Sequence, residues 1–463
     1  MKISTTAIDI ISAIALFNAK PTLANTKSCL DSDSVDYNND YFPFKATPKY
    51  SKYWDISYHN TYKIMTNKAT STTFLMYQCG TVPPAEETGK HNMTFAVPLQ
   101  TGLILSSSTQ VPQLEQLGLR RQIKGYLEYI DSVSSPCIQT LYSDGAITNI
   151  GKDGIDLAAF KYYNPETLLL RGYVAGDDAF YINEANEGEN LAIYEWHKVY
   201  GALFNLEETA NAQFSEMEAR FDCASNNAAM IAQEKIDSGV EKKTPTVVWA
   251  SWSNYEEVYY GREAYWDVAR CDEKNLYYCD FAQRCSAELL HSNNGSIENS
   301  YSPGDYHMTD EEFFEFAKDA DHWIYTSYNW NTVFDNFKDN LTEFKSVQNE
   351  EVFDTYGKGS AVWFEQRIAE ADIVLQDFCE VVGHYDDSEF SHERQYLRKA
   401  LPDGGEEASS LGTCEGSEVD IPWESDATQC ANIIPNSSFA MRSIISVIMP
   451  LGAFTSLALL GMM

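Results

Sequence analysis

The chain has 463 residues, 44% hydrophobic and 13% aromatic, which is enough for two or three domains with sizeable cores. Its formal charge of -35, from 33 Lys and Arg against 68 Asp and Glu, argues strongly against nucleic acid or an anionic membrane surface as a partner. The surplus reads instead as a soluble, self-repelling outer surface.

At the start, Lys2 precedes a mostly apolar run from Ile8 to Phe17, and Thr22-Leu23-Ala24 is a small-residue cleavage site. Residues 1–24 therefore read as a removable signal peptide. Residues 25–193 hold a leader and a first α/β lobe. In the leader, the stretches from Tyr50 to Tyr62 and from Ser71 to Cys79 alternate well enough for a hairpin. The lobe then opens with an apolar strand within Phe95 to Ser107, a short helix from Val111 to Leu119 and a strand from Ile123 to Tyr126. A turn at Ser134-Ser135-Pro136-Cys137, a helix from Asp156 to Tyr163 and a strand from Thr167 to Tyr173 follow, giving parallel βαβ units.

Residues 194–239 predict a connecting spine helix, with Val199, Leu203, Leu206, Phe214, Met217 and Phe221 at helical spacing. Asn205 and Glu208 suit its cap, Gly239 closes it, and Asn226-Asn227 mark an expected break. The second lobe, 240–385, begins with the strand from Thr246 to Ser251 after Pro245, and an aromatic-rich stretch leads on to Trp266. A helix from Thr309 to Lys318, with Thr309 and Glu312 as its capping pair, leads into the strand from Trp323 to Ser327. Segments from Asp156, Asp310 and Trp363 share one layout, helix then turn then apolar strand, so internal duplication is expected.

Residues 386–443 read as a flexible acidic stalk tied by Cys414 and Cys430. The uncharged run 444–463 is long enough to cross a bilayer as a helix of about 20 residues. It fits either a transmembrane anchor or a GPI signal cleaved near Ser425-Asp426-Ala427 or Asn436-Ser437-Ser438. Ten cysteines in a secreted chain imply disulfides whose connectivity stays open. Cys271, Cys279 and Cys285 match no CxxC zinc spacing, which favours bridging over metal. Glycosylation acceptors stand at Asn92, Asn294, Asn340 and Asn436.

Taken in order, VPLQTGLILSSSTQVPQLEQLGLRRQIKGY, Ser134-Ser135-Pro136, Asn164-Pro165-Glu166, the spine, Pro245 with TVVWAS, EEFFEFAKDADHWIY and WFEQRIAEADIVLQDF resemble the helical-backbone class of periplasmic binding proteins. These FecB/BtuF-like proteins capture iron-siderophores, vitamin B12, haem or metal ions. The likeness covers roughly residues 90–385. With the secretory features, the chain is most similar to cell-surface members in diatoms and related algae, some associated with siderophore-iron uptake. The resemblance implies an α/β fold of two lobes with mostly parallel sheets joined by one backbone helix. It also implies a non-enzymatic solute-binding protein whose bound group is a ferric chelate, with no covalent cofactor. Bacterial members often carry a lipidated Cys after the cleavage site, where this chain has Asn25-Thr26, so the tether would lie at the other end. The uptake receptor or transporter is left open.

In parallel lobes, ligand groups come from loops at the carboxyl ends of the strands. In the first lobe these are Ser106, Ser107, Ser108 and Thr109, then Ser134 and Ser135, then Tyr173. The second lobe offers Trp252, Tyr255, Tyr259, Tyr260 and Arg262, then Tyr325, Ser327, Tyr328, Asn329 and Trp330. Hydroxyls facing aromatics suit a bulky, partly apolar chelate, and Arg262 an anionic one. Haem, cobalamin and a bare metal ion are the alternatives, although the eight histidines form no HxH or HxxxH pair. An enzyme would be the rival class, without GxSxG, Walker A, GxGxxG or HExxH. A surface or adhesion protein would need no cleft.

Overall fold

A computed structural model describes residues 24–172, 178–271, 276–299, 304–327, 329–359, 361–385, 392–400 and 411–433. Nearly all of the expected signal peptide, the whole of the hydrophobic tail, Asn436, Tyr173 and Tyr328 lie outside the described residues. Among the described residues no helix is long and apolar enough to cross a membrane.

The leader is larger than a hairpin. β1 (Trp54–Tyr58), β2 (Tyr62–Asn67) and β3 (Thr72–Gln78) are antiparallel, and β4 (Met93–Val97) joins β3 in parallel. The expected strand within Phe95 to Ser107 therefore divides. Pro98 has no N–H for a ladder, and Gly102 adopts φ +88 where a Cβ would sit 2.7 Å from the Gln122 carbonyl oxygen. The chain leaves one sheet there and enters the next.

In the first lobe β5 (Leu103–Leu105) is followed by α1 (Gln110–Gln116), β6 (Ile123–Tyr126) and α2 (Pro136–Ser143). Then come β7 (Thr148–Asn149), α3 (Leu157–Tyr163), β8 (Leu168–Arg171) and β9 (Phe180–Tyr181). The sheet, ordered β7-β6-β5-β8-β9, is wholly parallel. Every residue of β5 is buried, as expected of a strand covered on both faces.

The spine is three helices: α4 (Asn190–Glu195), α5 (His197–Leu203) and the 31-residue α6 (Glu207–Asp237), about 46 Å long at the usual rise. It breaks at Trp196 and around Asn205, and not at Asn226-Asn227. Asn205 takes φ +56, which asparagine tolerates better than most residues, and its side chain bonds Thr26, Lys63 and Gln78 of the leader and does not cap the helix. Val199, Tyr200 and Leu203 of α5 belong to the first-lobe core, whereas Phe214, Met217 and Phe221 of α6 belong to the second. The spine is thus anchored in both.

The second lobe comprises β10 (Thr246–Ser253), α7 (Tyr255–Tyr260), β11 (Tyr265–Val268), α8 (Leu276–Arg284) and β12 (Glu288–Leu290). β13 (Ile297–Glu298), β14 (Tyr306–His307), α9 (Asp310–Ala317), β15 (His322–Tyr325), α10 (Trp330–Asn336), α11 (Lys338–Leu341) and α12 (Lys345–Gln348) follow. β16 (Val352–Asp354), α13 (Val362–Gln366), α14 (Ala371–Val381) and β17 (Arg398–Lys399) complete it. β12, β15 and β16 run parallel to β10 or to one another, while β11 and β17 are antiparallel edges. The capping box of α9 forms as expected: Glu312 N–H donates to Thr309 Oγ1 at 3.3 Å and Thr309 N–H to Glu312 Oε2 at 2.9 Å.

Two of the three look-alike segments run helix then strand, α3 into β8 and α9 into β15. The third does not: Ile373 to Phe378 lie in α14. A short apolar run reads alike for a buried strand and a buried helix. Here α6 supplies Arg220, bonded to the buried Asp372 at 2.5 Å, which a helix can face while burying its other sides.

All ten cysteines pair, as Cys29–Cys79, Cys137–Cys414, Cys223–Cys430, Cys271–Cys279 and Cys285–Cys379. Residues 411–433, within the stretch expected to be a flexible stalk, pack against both lobes through two of these bridges.

Candidate inter-lobe site

Where β5 ends, its three apolar residues give way to hydroxyls. Ser107 Oγ lies 2.9 Å from Thr109 Oγ1, which donates to Glu184 Oε1 at 2.9 Å, while Ser106 N–H donates to Gln110 Oε1 at 3.0 Å. Ser107, Ser108 and Thr109 are half-buried and so present a structured, partly accessible edge. Behind them Glu184 is buried and its second oxygen has no hydrogen-bond partner among the described residues. Burial pushes its carboxyl up to about 7, the Thr109 hydroxyl pulling the other way.

At the end of β6, Tyr126 is buried and its hydroxyl also lacks a partner among the described residues. Burial raises it, helped by the carboxylates of Glu128 from its own lobe and Glu365 from the other, with the Ser108 hydroxyl pulling weakly the other way.

Ser135 is tied into the scaffold. It is buried, its Oγ accepts from Ile138 N–H at 3.3 Å to cap α2 and donates to Glu115 Oε1 at 2.6 Å. Glu115 in turn takes Arg120 Nε at 2.6 Å. The backbone N–H groups of Ser134 and Ser135 reach across the lobes to Glu365 in α13, at 2.6 and 3.2 Å. Loops that follow carboxyl ends of strands in both sheets, after β6 and after β16, therefore meet at one point. Glu365 is buried, and desolvation with Glu115 close by raises its carboxyl to about 8 against the lowering effect of those N–H donors.

On the second-lobe side the aromatics divide. Trp330 is 3% exposed, with its ring 5.0 Å from Trp323 and 5.3 Å from Tyr325, so it belongs to the core. Tyr325 is buried and its hydroxyl donates to Asn329 at 2.6 Å. Trp252 is half-buried, edge-on to Phe337 at 5.7 Å, and its backbone N–H donates to the Tyr325 hydroxyl at 3.4 Å. Tyr255, 52% exposed, and Tyr259 lie on α7, and Arg262 is exposed just beyond it. Ser327 is half-buried after β15. The structure therefore brings Ser107, Ser108 and Thr109 onto one edge and leaves Trp252, Tyr255, Tyr259 and Arg262 around the end of β10.

Sequence patterns missed Glu365, Tyr126 and Glu184. In FEQR the Glu reads as the polar face of an amphipathic helix, and only burial distinguishes it. Two residues on, the Arg367 guanidinium stacks over Tyr277 at 4.1 Å and Trp363 at 5.4 Å. Among the described residues no group of three His, Cys, Asp or Glu could hold a metal ion. His197, His322, His384 and His392 bond Gln113 and Gln213, Glu351, the Cys285 carbonyl with Glu241, and Asp377, respectively. The described glycosylation acceptors, Asn92, Asn294 and Asn340, are all exposed.

No family model matches the chain. No curated protein matches it. Among solved structures it is similar to a periplasmic haem-binding protein from Pseudomonas aeruginosa, at 9% identity and TM-score 0.44, over 67% of this chain and 99% of that one. It is also similar to a periplasmic binding protein from Veillonella parvula (11% identity, TM-score 0.42, 61% and 84% covered). A petrobactin-binding protein from Bacillus subtilis matches at 12% identity and TM-score 0.41, with 61% and 92% covered. At such values the likeness carries no residue correspondence, and the site rests on this chain's own geometry.

Proposed function

We propose that this chain is a secreted, membrane-tethered solute-binding protein that holds a small ligand between its lobes, and that the ligand is an iron-siderophore chelate taken on its way to uptake. The observation that carries the reading is Glu365 of the second lobe accepting the Ser134 and Ser135 N–H groups of the first. That contact places the carboxyl-end loops of two sheets at a shared boundary, the position where open α/β sheets take ligands. Ser107, Ser108 and Thr109 offer hydroxyls to a chelate's oxygens, and Trp252, Tyr255 and Arg262, with Tyr259 and Tyr328 by their place in the sequence, offer rings and one cation to its apolar or anionic parts.

A chelate suits the site better than a bare ion, because His197, His322, His384 and His392 are already engaged with polar partners. Binding suits it better than catalysis, because Glu115 and Glu365 are held by Arg120, Ser135 and backbone N–H groups. The apolar sequence runs within 1–24 and over 444–463 support export and a tether, transmembrane or GPI. The test is thermal unfolding of the purified protein with ferric trihydroxamate, haem and divalent cations in turn. A ligand at about 100 times its Kd adds about 2.7 kcal/mol to the folded state and raises the midpoint. No shift and no tryptophan fluorescence change with any chelate would sink the proposal.

A further inference from the structure

Residues 411–433 follow the second lobe in the chain, and Leu411 still packs on that lobe's core, but from Cys414 the segment lies against the first. Cys414 is bonded to Cys137 of α2, and its carbonyl accepts the Thr140 hydroxyl at 2.8 Å. The buried Arg120 guanidinium donates to the carbonyls of Glu418, Val419 and Ile421 at 3.2, 3.5 and 2.5 Å, and Arg121 pairs with Asp420. Trp423 N–H then donates to the Glu115 carbonyl at 2.9 Å.

From that point the segment crosses to the other lobe. Ser425 Oγ donates to Glu370 Oε1 at 3.0 Å, and Thr428 Oγ1 donates to Gln376 Oε1 of α14 at 3.2 Å. Cys430 is bonded to Cys223 of α6, and Asn227 of α6 brackets the chain, donating to the Ala431 carbonyl and accepting from Ile433 N–H, each at 2.9 Å.

We propose that residues 411–433 are a covalent brace that limits how far the two lobes open. Its ends are bonded to α2 on one side and to α6 on the other, so separation of the lobes must stretch it. Apart from a single 3-10 turn, Gly416–Asp420, the described segment has no regular structure. An irregular strap resists extension and not shortening, so it permits closure while setting the open limit. It is also wired to the inter-lobe contact, since Arg120, which grips the strap, bonds Glu115, which accepts from Ser135, whose N–H meets Glu365. The inference concerns the unliganded protein and holds whatever the cleft binds.

The experiment inserts a protease site at the exposed Glu424 and cuts the folded protein, leaving both disulfides and both cores in place. The amides of Ser134 and Ser135 should then exchange roughly tenfold faster, the scale of losing a structural hydrogen bond, while amides of β5 and β10 keep their protection. Small-angle scattering of the cut, ligand-free protein should show a larger radius of gyration. Unchanged exchange and unchanged scattering would overturn the brace. The double variant C414S/C430S should reproduce the cut protein; should it fail to fold, the cut protein alone decides.

Discussion

The two lobes are built by different rules although both place loops at the same boundary. The first has a wholly parallel sheet, and its carboxyl end presents small hydroxyls backed by the buried carboxyl Glu184. The second has a mixed sheet with antiparallel edges and an aromatic-dense core in which Trp266, Phe313, Trp323, Trp330 and Phe344 pack ring against ring, some stacked and some edge-on. Aromatic abundance near strand ends is therefore first of all a property of the second lobe's packing. Hydroxyls at the first lobe's strand ends are the more specific sign, because parallel strands this apolar leave polar groups only where they exit.

The strongest way to break that contrast is to remove one ring from each side of it. Trp330→Ala should cost roughly 3–5 kcal/mol of stability by emptying a packed core site, whereas Tyr255→Ala, on an exposed side chain, should fall within about 0.5 kcal/mol. Urea denaturation followed by circular dichroism separates the two. A mild effect at Trp330 would return it to the cleft wall.

The contact between the lobes offers a second handle through pH. Glu365 and Glu184 have carboxyls raised to about 8 and about 7 from an ordinary value of 4.5, both chiefly by burial. The folded chain thus binds protons more tightly than the unfolded one, so their contribution to stability is full below pH 4.5 and is lost as pH rises through 7 and 8. The urea midpoint should fall between pH 5 and pH 8, and Glu365→Gln, which keeps an acceptor for Ser134 or Ser135, should flatten that fall. An unaltered slope in the variant would remove Glu365 as its source.

Much of this architecture was legible in the chain, and the reasons differ by element. The βαβ alternation of the first lobe, the α9 capping box and the long α6 follow from periodicities that local physics enforces. Asn205, α14 and residues 411–433 were not legible, because each is decided by a distant partner: leader residues Lys63 and Gln78, Arg220 of α6, and two disulfides to α2 and α6. The site divided in the same way. The place of Ser107, Ser108 and Thr109 after β5 could be read from the chain alone, while the scaffold role of Ser135 and the burial of Glu365 appear only when the second lobe is set against the first.

A third prediction sharpens the first lobe's hydroxyl edge. Ser107→Ala and Thr109→Val each delete a hydroxyl of the short relay ending on Glu184, and each should weaken chelate binding about tenfold while changing stability by roughly 1 kcal/mol. Titration by tryptophan fluorescence reads the affinity. Equal affinities in wild type and both variants would place the ligand elsewhere.

The smallest stability effect is expected at Tyr126. No hydrogen bond of ordinary length reaches its buried hydroxyl among the described residues, and the Ser108 hydroxyl is the smallest influence on it, so the folded chain recovers little of the cost of desolvating it. Tyr126→Phe removes that cost and leaves the ring's packing, so the melting midpoint should stay or rise slightly, unlike the usual loss when a bonded group is deleted. If the hydroxyl donates to a ligand oxygen, the same variant should bind chelate more weakly although it is no less stable. Loss of affinity without loss of stability would make Tyr126 part of the first lobe's polar edge; unchanged affinity would confine that edge to the loop after β5.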